Sequence, residues 1–120
     1  MYELTKEFRF DAAHTLERTV ATEGSRRIHG HSYRARVTLR GMPDPISGMI
    51  IDTGILELRL ADTRDALDHR FLDEINDLGP GTMENLAAYI WRKLEPEMPQ
   101  LHSVAVLRDS TSDRVTYYGN

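Results

Sequence analysis

The segment HGHSYRARVTL, residues 29 to 39, alternates strictly. His29, His31, Tyr33, Ala35, Val37 and Leu39 share one parity, and Ser32, Arg34, Arg36 and Thr38 share the other. A period of two is the signature of a strand with one buried face. Both histidines therefore point inward, with the apolar side chains. EFRFDAAH repeats the pattern: Phe8, Phe10, Ala12 and His14 fall on one parity. A second strand is expected here, again carrying a histidine on its buried face.

Between these strands and the C-terminus the pattern changes. GMPDPISGMIID combines Pro43, Asp44, Pro45, Ser47 and Gly48 with the short apolar run Met49 to Ile51, which reads as a turn and the return strand of a hairpin. Asp52 or Thr53 is placed to cap a helix in which Leu56, Leu60, Thr63 and Leu67 recur at helical spacing. A second helix is expected from Thr82, burying Leu86, Ala87, Ile90, Trp91 and Leu94 and stopping before Pro96 and Pro99. SVAVLRD and RVTYY return to strand character. With no repeat and no linker, residues 1–120 read as one α+β domain with an antiparallel sheet.

Charge and length narrow the function classes. The net charge of -4 is spread through mixed runs such as ELRLADTRDALDHR, so no basic block asks for nucleic acid or anionic lipid. No apolar stretch approaches the roughly 20 residues of a membrane span, and MYELTKEFRF lacks the apolar core of a signal peptide. No membrane association and a cytoplasmic location are the expectation. At 120 residues and 40% hydrophobic content the chain has a real core, but a small domain buries a modest share of its surface, which favours oligomerisation.

Alternate strand positions lie about 6.5 to 7 Å apart on one face, so His29 and His31 converge on one ion while Gly30 leaves the other face clear. His14 is the best third ligand, and three imidazoles with an open position form the pattern of a catalytic zinc site. The chain has no cysteine, which excludes disulfides, a thiolate metal site and a cysteine nucleophile. The competing reading is three inward histidines that merely pack and hydrogen-bond. Asp68 precedes His69 in LDHRF, an arrangement that suits a general acid or base; the alternative is a surface ion pair with Arg64 or Arg70. His102, in PQLHSV, is expected to be exposed and without a role.

FDAAH, HGHSY, SGMIID, LDH and TMENLAAYIW, in this order, resemble the 6-pyruvoyl-tetrahydropterin synthase and 6-carboxy-tetrahydropterin synthase family over essentially the whole chain. The resemblance implies the tunnelling fold: a four-stranded antiparallel sheet with two helices on one face, assembling through its edges into a barrel, commonly a hexamer built as a dimer of trimers. It implies zinc held by His14, His29 and His31, and a pterin substrate, 7,8-dihydroneopterin triphosphate, which loses triphosphate while its side chain is rearranged or cleaved. Such enzymes serve biopterin, folate or 7-deazapurine pathways. Asp68 and His69 match the family's proton-shuttling pair. Thr82 matches a pterin-contacting threonine, and Asp109 stands where the family's pterin-gripping glutamate lies, one methylene shorter.

One departure matters chemically. Four residues before His29, where the bacterial branch carries its cysteine base, this chain has Ser25. A thiolate is accessible near neutral pH beside cations, whereas a serine alkoxide needs a dedicated base. Another subgroup carries a glutamate one position later, where Arg26 stands here; Glu23 is the nearest carboxylate. Two functional readings follow: a zinc-dependent pterin synthase with altered or reduced chemistry in which His69 moves the proton, or a zinc-containing pterin-binding or sensing module without turnover.

Overall fold

The computed structural model describes residues 1–120. Strand β1, Tyr2–His14, pairs antiparallel with β2, His29–Gly41, without a bulge from Tyr2 opposite Gly41 to His14 opposite His29. This register puts the two inward parities on one face, with Phe8 opposite Ala35, Phe10 opposite Tyr33 and Ala12 opposite His31. The rings of Phe10 and Tyr33 stack at 5.0 Å. The other edge of β2 takes β4, Leu101–Arg108, and β4 takes β5, Asp113–Tyr117, both antiparallel.

The four long strands are the antiparallel set expected. A fifth, β3, contains only Arg70–Phe71 and runs parallel to β1 at Ala12 and Ala13, so the sheet order is β3-β1-β2-β4-β5. Two residues carry no periodic signal, which is why β3 is invisible in the sequence. The hairpin expected after β2 does not form: Met49–Ile51 is not a strand. Both edges of β2 are already occupied by β1 and β4, so a returning strand has nothing to pair with. The segment instead folds on itself. Asp44 N–H donates to the Met49 carbonyl at 2.9 Å, while the Asp44 carboxylate accepts from the N–H groups of Ile46 and Ser47.

A five-residue helix, α1, Thr22–Arg26, also escaped the sequence reading. The two long helices are α2, Thr53–Leu67, and α3, Met83–Leu94. Asp52 caps α2 by accepting from Gly54 N–H, and Thr82 caps α3 by accepting from Asn85 N–H. α2 buries Leu56, Leu60, Thr63 and Leu67; α3 buries Leu86, Ala87, Ile90 and Leu94 among others. These side chains form one core with the inward face of β1, β2 and β4, including Phe10, Val37 and Val106. Trp91 is only partly buried and meets Tyr117 edge-on at 5.7 Å. His102 is half-buried on β4 rather than exposed in a turn, and faces the Tyr118 ring at 5.7 Å. No helix is long and apolar enough to cross a membrane.

Leu86 is fully buried between α3 and the sheet. Leu86→Ala should cost about 2–5 kcal/mol of unfolding free energy. Urea denaturation checks this, and a loss below about 1 kcal/mol would contradict the assigned core.

Candidate functional site

The β1–β2 register decides the geometry of the histidines. β1 ends at His14, β2 begins opposite it at His29, and His31 follows on the same face. Their ring centroids lie 4.6, 4.9 and 5.0 Å apart, and one ligand atom from each falls within 4.8 Å of the others. His14 is buried; His29 and His31 are half-buried.

Hydrogen bonds fix which nitrogens face one another. His14 Nδ1–H donates to the Gly81 carbonyl at 2.7 Å, and His29 Nδ1–H donates to the Arg27 carbonyl at 2.8 Å. With the protons on Nδ1, both Nε2 atoms present lone pairs, and these lie 3.0 Å apart. Two lone pairs at that distance repel unless a cation or a proton sits between them. Ligating imidazoles use the same arrangement, one nitrogen donating to a backbone carbonyl and the other to the ion. The donor set therefore fits a divalent metal. Gly81 makes the close approach possible: a Cβ there would lie 3.2 Å from both His14 Cβ and Leu72 Cβ.

The electrostatics favour the neutral form of His14 and His31. Burial, followed by the Arg108 cation and the two neighbouring imidazoles, pushes His31 down to about 4. Burial also lowers His14, against the pull of the Gly81 carbonyl. Neutral imidazole is the form that binds metal.

A cavity of about 530 Å³ opens beside the three rings. Ser25 and Thr82 line it, together with Arg108 and Arg18. Ser25 is buried in α1, and its hydroxyl donates to the Ala21 carbonyl at 3.0 Å. No carboxylate or imidazole takes the proton of Ser25, so nothing there generates an alkoxide. Thr82 spends its hydroxyl oxygen on the α3 cap.

Asp68, His69 and Asp109 are elsewhere. They line a second cleft, also about 530 Å³, with Arg9, Arg34 and Ser32 from the opposite strand parity. Asp68 is largely covered, and its carboxylate accepts from Asp11 N–H at 2.9 Å and from Arg64 at 3.1 Å. The Asp11 amide, then His69 and Arg64, hold that carboxyl below its usual range despite partial burial. His69 Nδ1 lies 3.0 Å from Asp68 Oδ2, which leaves Nε2 free on a side chain that is 80% exposed. The backbone of His69 is left-handed, φ 59°, and its N–H donates to the Asp11 carbonyl at 2.7 Å. A non-glycine residue held there is strained, and its surroundings must enforce it. Asp109 is gripped through both oxygens by Arg34, at 2.8 to 3.2 Å. Arg34 also binds Glu7 at 3.0 Å.

Within one chain, then, the structure brings His14, His29, His31, Ser25 and Thr82 to one cavity and Asp68, His69 and Asp109 to another, which His31 also borders. The sequence reading missed Gly81, Arg34 and Arg108. Arg108 shares the parity of Val104 and Val106 at the end of β4, so a charged residue closing an inward apolar run was the available signal.

The depressed histidines imply a pH dependence with a definite sign. The unfolded chain binds protons near pH 6.5 and the folded metal-free protein only near pH 4, so between these values the unfolded state carries more protons. Stability should fall as pH drops from about 6.5 toward 4, and His31→Gln should flatten that fall. Urea midpoints for both proteins at pH 7 and pH 4.5 test this, and equal losses would contradict it.

Comparison with known proteins identifies the family. The family model described as 6-pyruvoyl tetrahydropterin synthase matches residues 3–120. The 6-carboxy-5,6,7,8-tetrahydropterin synthase of Synechocystis sp. is 40% identical over 93% of this chain and 90% of its own. A putative 6-pyruvoyl tetrahydrobiopterin synthase of Caenorhabditis elegans is 35% identical over 76% of this chain and 69% of its own. The solved structure of Caenorhabditis elegans 6-pyruvoyl tetrahydropterin synthase superposes with a TM-score of 0.84 at 29% identity, covering 99% of this chain and 96% of that one. Match length, identity and superposition agree: the chain belongs to the 6-pyruvoyl tetrahydropterin synthase family, a family of lyase-type enzymes.

Proposed function

We propose that the chain is a cytoplasmic, zinc-dependent tetrahydropterin synthase-like enzyme acting on 7,8-dihydroneopterin triphosphate or a related pterin, with His69 rather than a cysteine moving the proton. The observation that carries this reading is the pair of Nε2 lone pairs of His14 and His29, 3.0 Å apart, with His31 beside them, in a chain of this family. His14, His29 and His31 would hold the zinc. When bound, that ion acidifies side-chain hydroxyls of the substrate and the C–H bonds beside them.

The remaining work falls to the protein. Ionised Asp68 holds His69 in the tautomer whose Nε2 accepts a proton, and the Asp11 backbone anchors both residues. Thr82 lines the cavity at the start of α3. Asp109 would grip the amino-pyrimidine edge, after exchanging its Arg34 partner for the ligand.

A homo-oligomer, a hexamer built as a dimer of trimers, completes this site. Of the three histidines only His31 borders the cleft of the Asp68–His69 pair, so the pair of one copy would serve the histidine centre of another. Two further observations support assembly. The radius of gyration is 15.5 Å, against about 13.6 Å for a compact domain of this length. β1 is covered on its outer edge only at Ala12 and Ala13, and β5 has no partner beyond β4. Open edges of that length invite pairing with another copy and closure into a barrel.

The second reading, a pterin-binding or sensing module without turnover, is favoured by the engaged Ser25 hydroxyl and by the Arg34 grip on Asp109.

Zinc-loaded protein incubated with 7,8-dihydroneopterin triphosphate should yield a new pterin by mass spectrometry. His69→Ala should slow its formation by about a hundredfold or more. Bound but unchanged substrate would establish the binding module. Ser25→Cys should raise the rate, since a thiol beside cations ionises near neutral pH. His29→Ala should remove the metal, and a full equivalent of zinc retained in that variant would contradict the ligand set.

A further inference from the structure

The cavity beside the histidines contains an arginine whose bonding is incomplete. Arg108 is mostly buried, with its side chain 18% exposed. Its Nη2 binds Asp113 at 3.0 Å, and Thr111 holds the same carboxylate oxygen at 2.8 Å. Its Nε is buried without a partner, as is the nearby Tyr33 hydroxyl. Its Nη1 has one acceptor, His31 Nε2, at 3.5 Å, the weak limit of a hydrogen bond. A guanidinium has five N–H donors, and desolvating them without acceptors is costly.

His31 Nε2 offers a single lone pair, which cannot serve a metal and Arg108 at once. If it takes a metal, Arg108 Nη1 loses this acceptor. The guanidinium then also faces a divalent cation held by neutral ligands, and Asp113 balances only one of these charges. An oxyanion entering between them would pair with both. The cavity has room for it, and its lining carries Arg18 and Arg114 beside the carboxylates of Glu17 and Glu84.

We propose that Arg108 makes the three-histidine centre an oxyanion-dependent metal site, in which a carboxylate or phosphate-type oxygen of the ligand accepts from Nη1 and shares the metal. This rests on the reading of His14, His29 and His31 as metal ligands. It assigns Arg108 as a specificity residue for anionic ligands, and it requires metal and oxyanion to bind with positive, reciprocal coupling.

Cobalt(II) alone is a suitable probe, followed by its visible absorption. Apparent Co²⁺ affinity would be measured at constant ionic strength in perchlorate, acetate or sulfate, for the wild type, Arg108→Gln, Arg108→Lys and His29→Ala. The wild type should bind Co²⁺ at least about fivefold more tightly in acetate or sulfate than in perchlorate. A larger acetate response assigns a carboxylate, and a larger sulfate response a phosphate-type group. Arg108→Gln should bind Co²⁺ more tightly than the wild type in perchlorate and lose the anion response; Arg108→Lys, with charge but no fork, should keep part of it. An identical anion response in wild type and Arg108→Gln would overturn the proposal while leaving the histidine site standing. A wild type indifferent to anions would also overturn it and assign the neutralising role to Glu84 on the cavity wall. Equal Co²⁺ binding by wild type and His29→Ala would remove the metal reading and this inference together.

Discussion

The β1–β2 ladder is the constraint on which the rest of the structure depends. Its register runs unbroken from Tyr2–Gly41 to His14–His29, so the face that buries Phe10 and Tyr33 also delivers His14, His29 and His31 to one point. A slip of one residue between the two strands would leave His14 on the opposite face from His29 and His31. Core and candidate metal centre are thus specified by the same interaction. The hydrophobic pairs supply the energy that holds imidazole lone pairs close together, and the Gly81 and Arg27 carbonyls orient them. Repulsion among the rings is the local cost, and a cation removes it.

How legible this was in the sequence varies by element and for physical reasons. The parity of Phe8 to His14 and of His29 to Leu39 was readable because each strand is long and buried on one face only. The caps Asp52 and Thr82 were readable because each stands directly before its helix and satisfies an N–H of the first turn. Met49–Ile51 misled because an apolar run carries no information about whether a free sheet edge exists for it. β3 and α1 were too short for any period to show. His69 illustrates a different limit. Its residue type and its neighbour Asp68 were legible, but the left-handed turn is held by contacts to Asp11, far away in the chain on β1.

The separation of functional groups is the most consequential tertiary feature. A single chain holds the candidate metal-binding imidazoles around one cavity and a carboxylate-oriented imidazole in an adjoining cleft, with His31 bordering both. An elongated domain with uncovered sheet edges can close that gap by association, so assembly and chemistry become one problem. In this reading the loss of the cysteine is less severe than the sequence alone implies. His69, fixed by an ionised Asp68, is available as a candidate base, and Arg108 would add a cation beside a bound metal. Ser25 keeps a structural role, its carbonyl accepting from Leu16 N–H at 2.7 Å and fastening α1 against the end of β1.

The most direct test of the central claim is imidazole nitrogen NMR of the five histidines during zinc addition. His14 and His29 should start as Nδ1–H tautomers. One equivalent of zinc should convert Nε2 of His14, His29 and His31 to the metal-bound form and leave His69 and His102 free of metal. Zinc bound at His69 or His102, or three inward histidines unmoved by a full equivalent, would contradict the account.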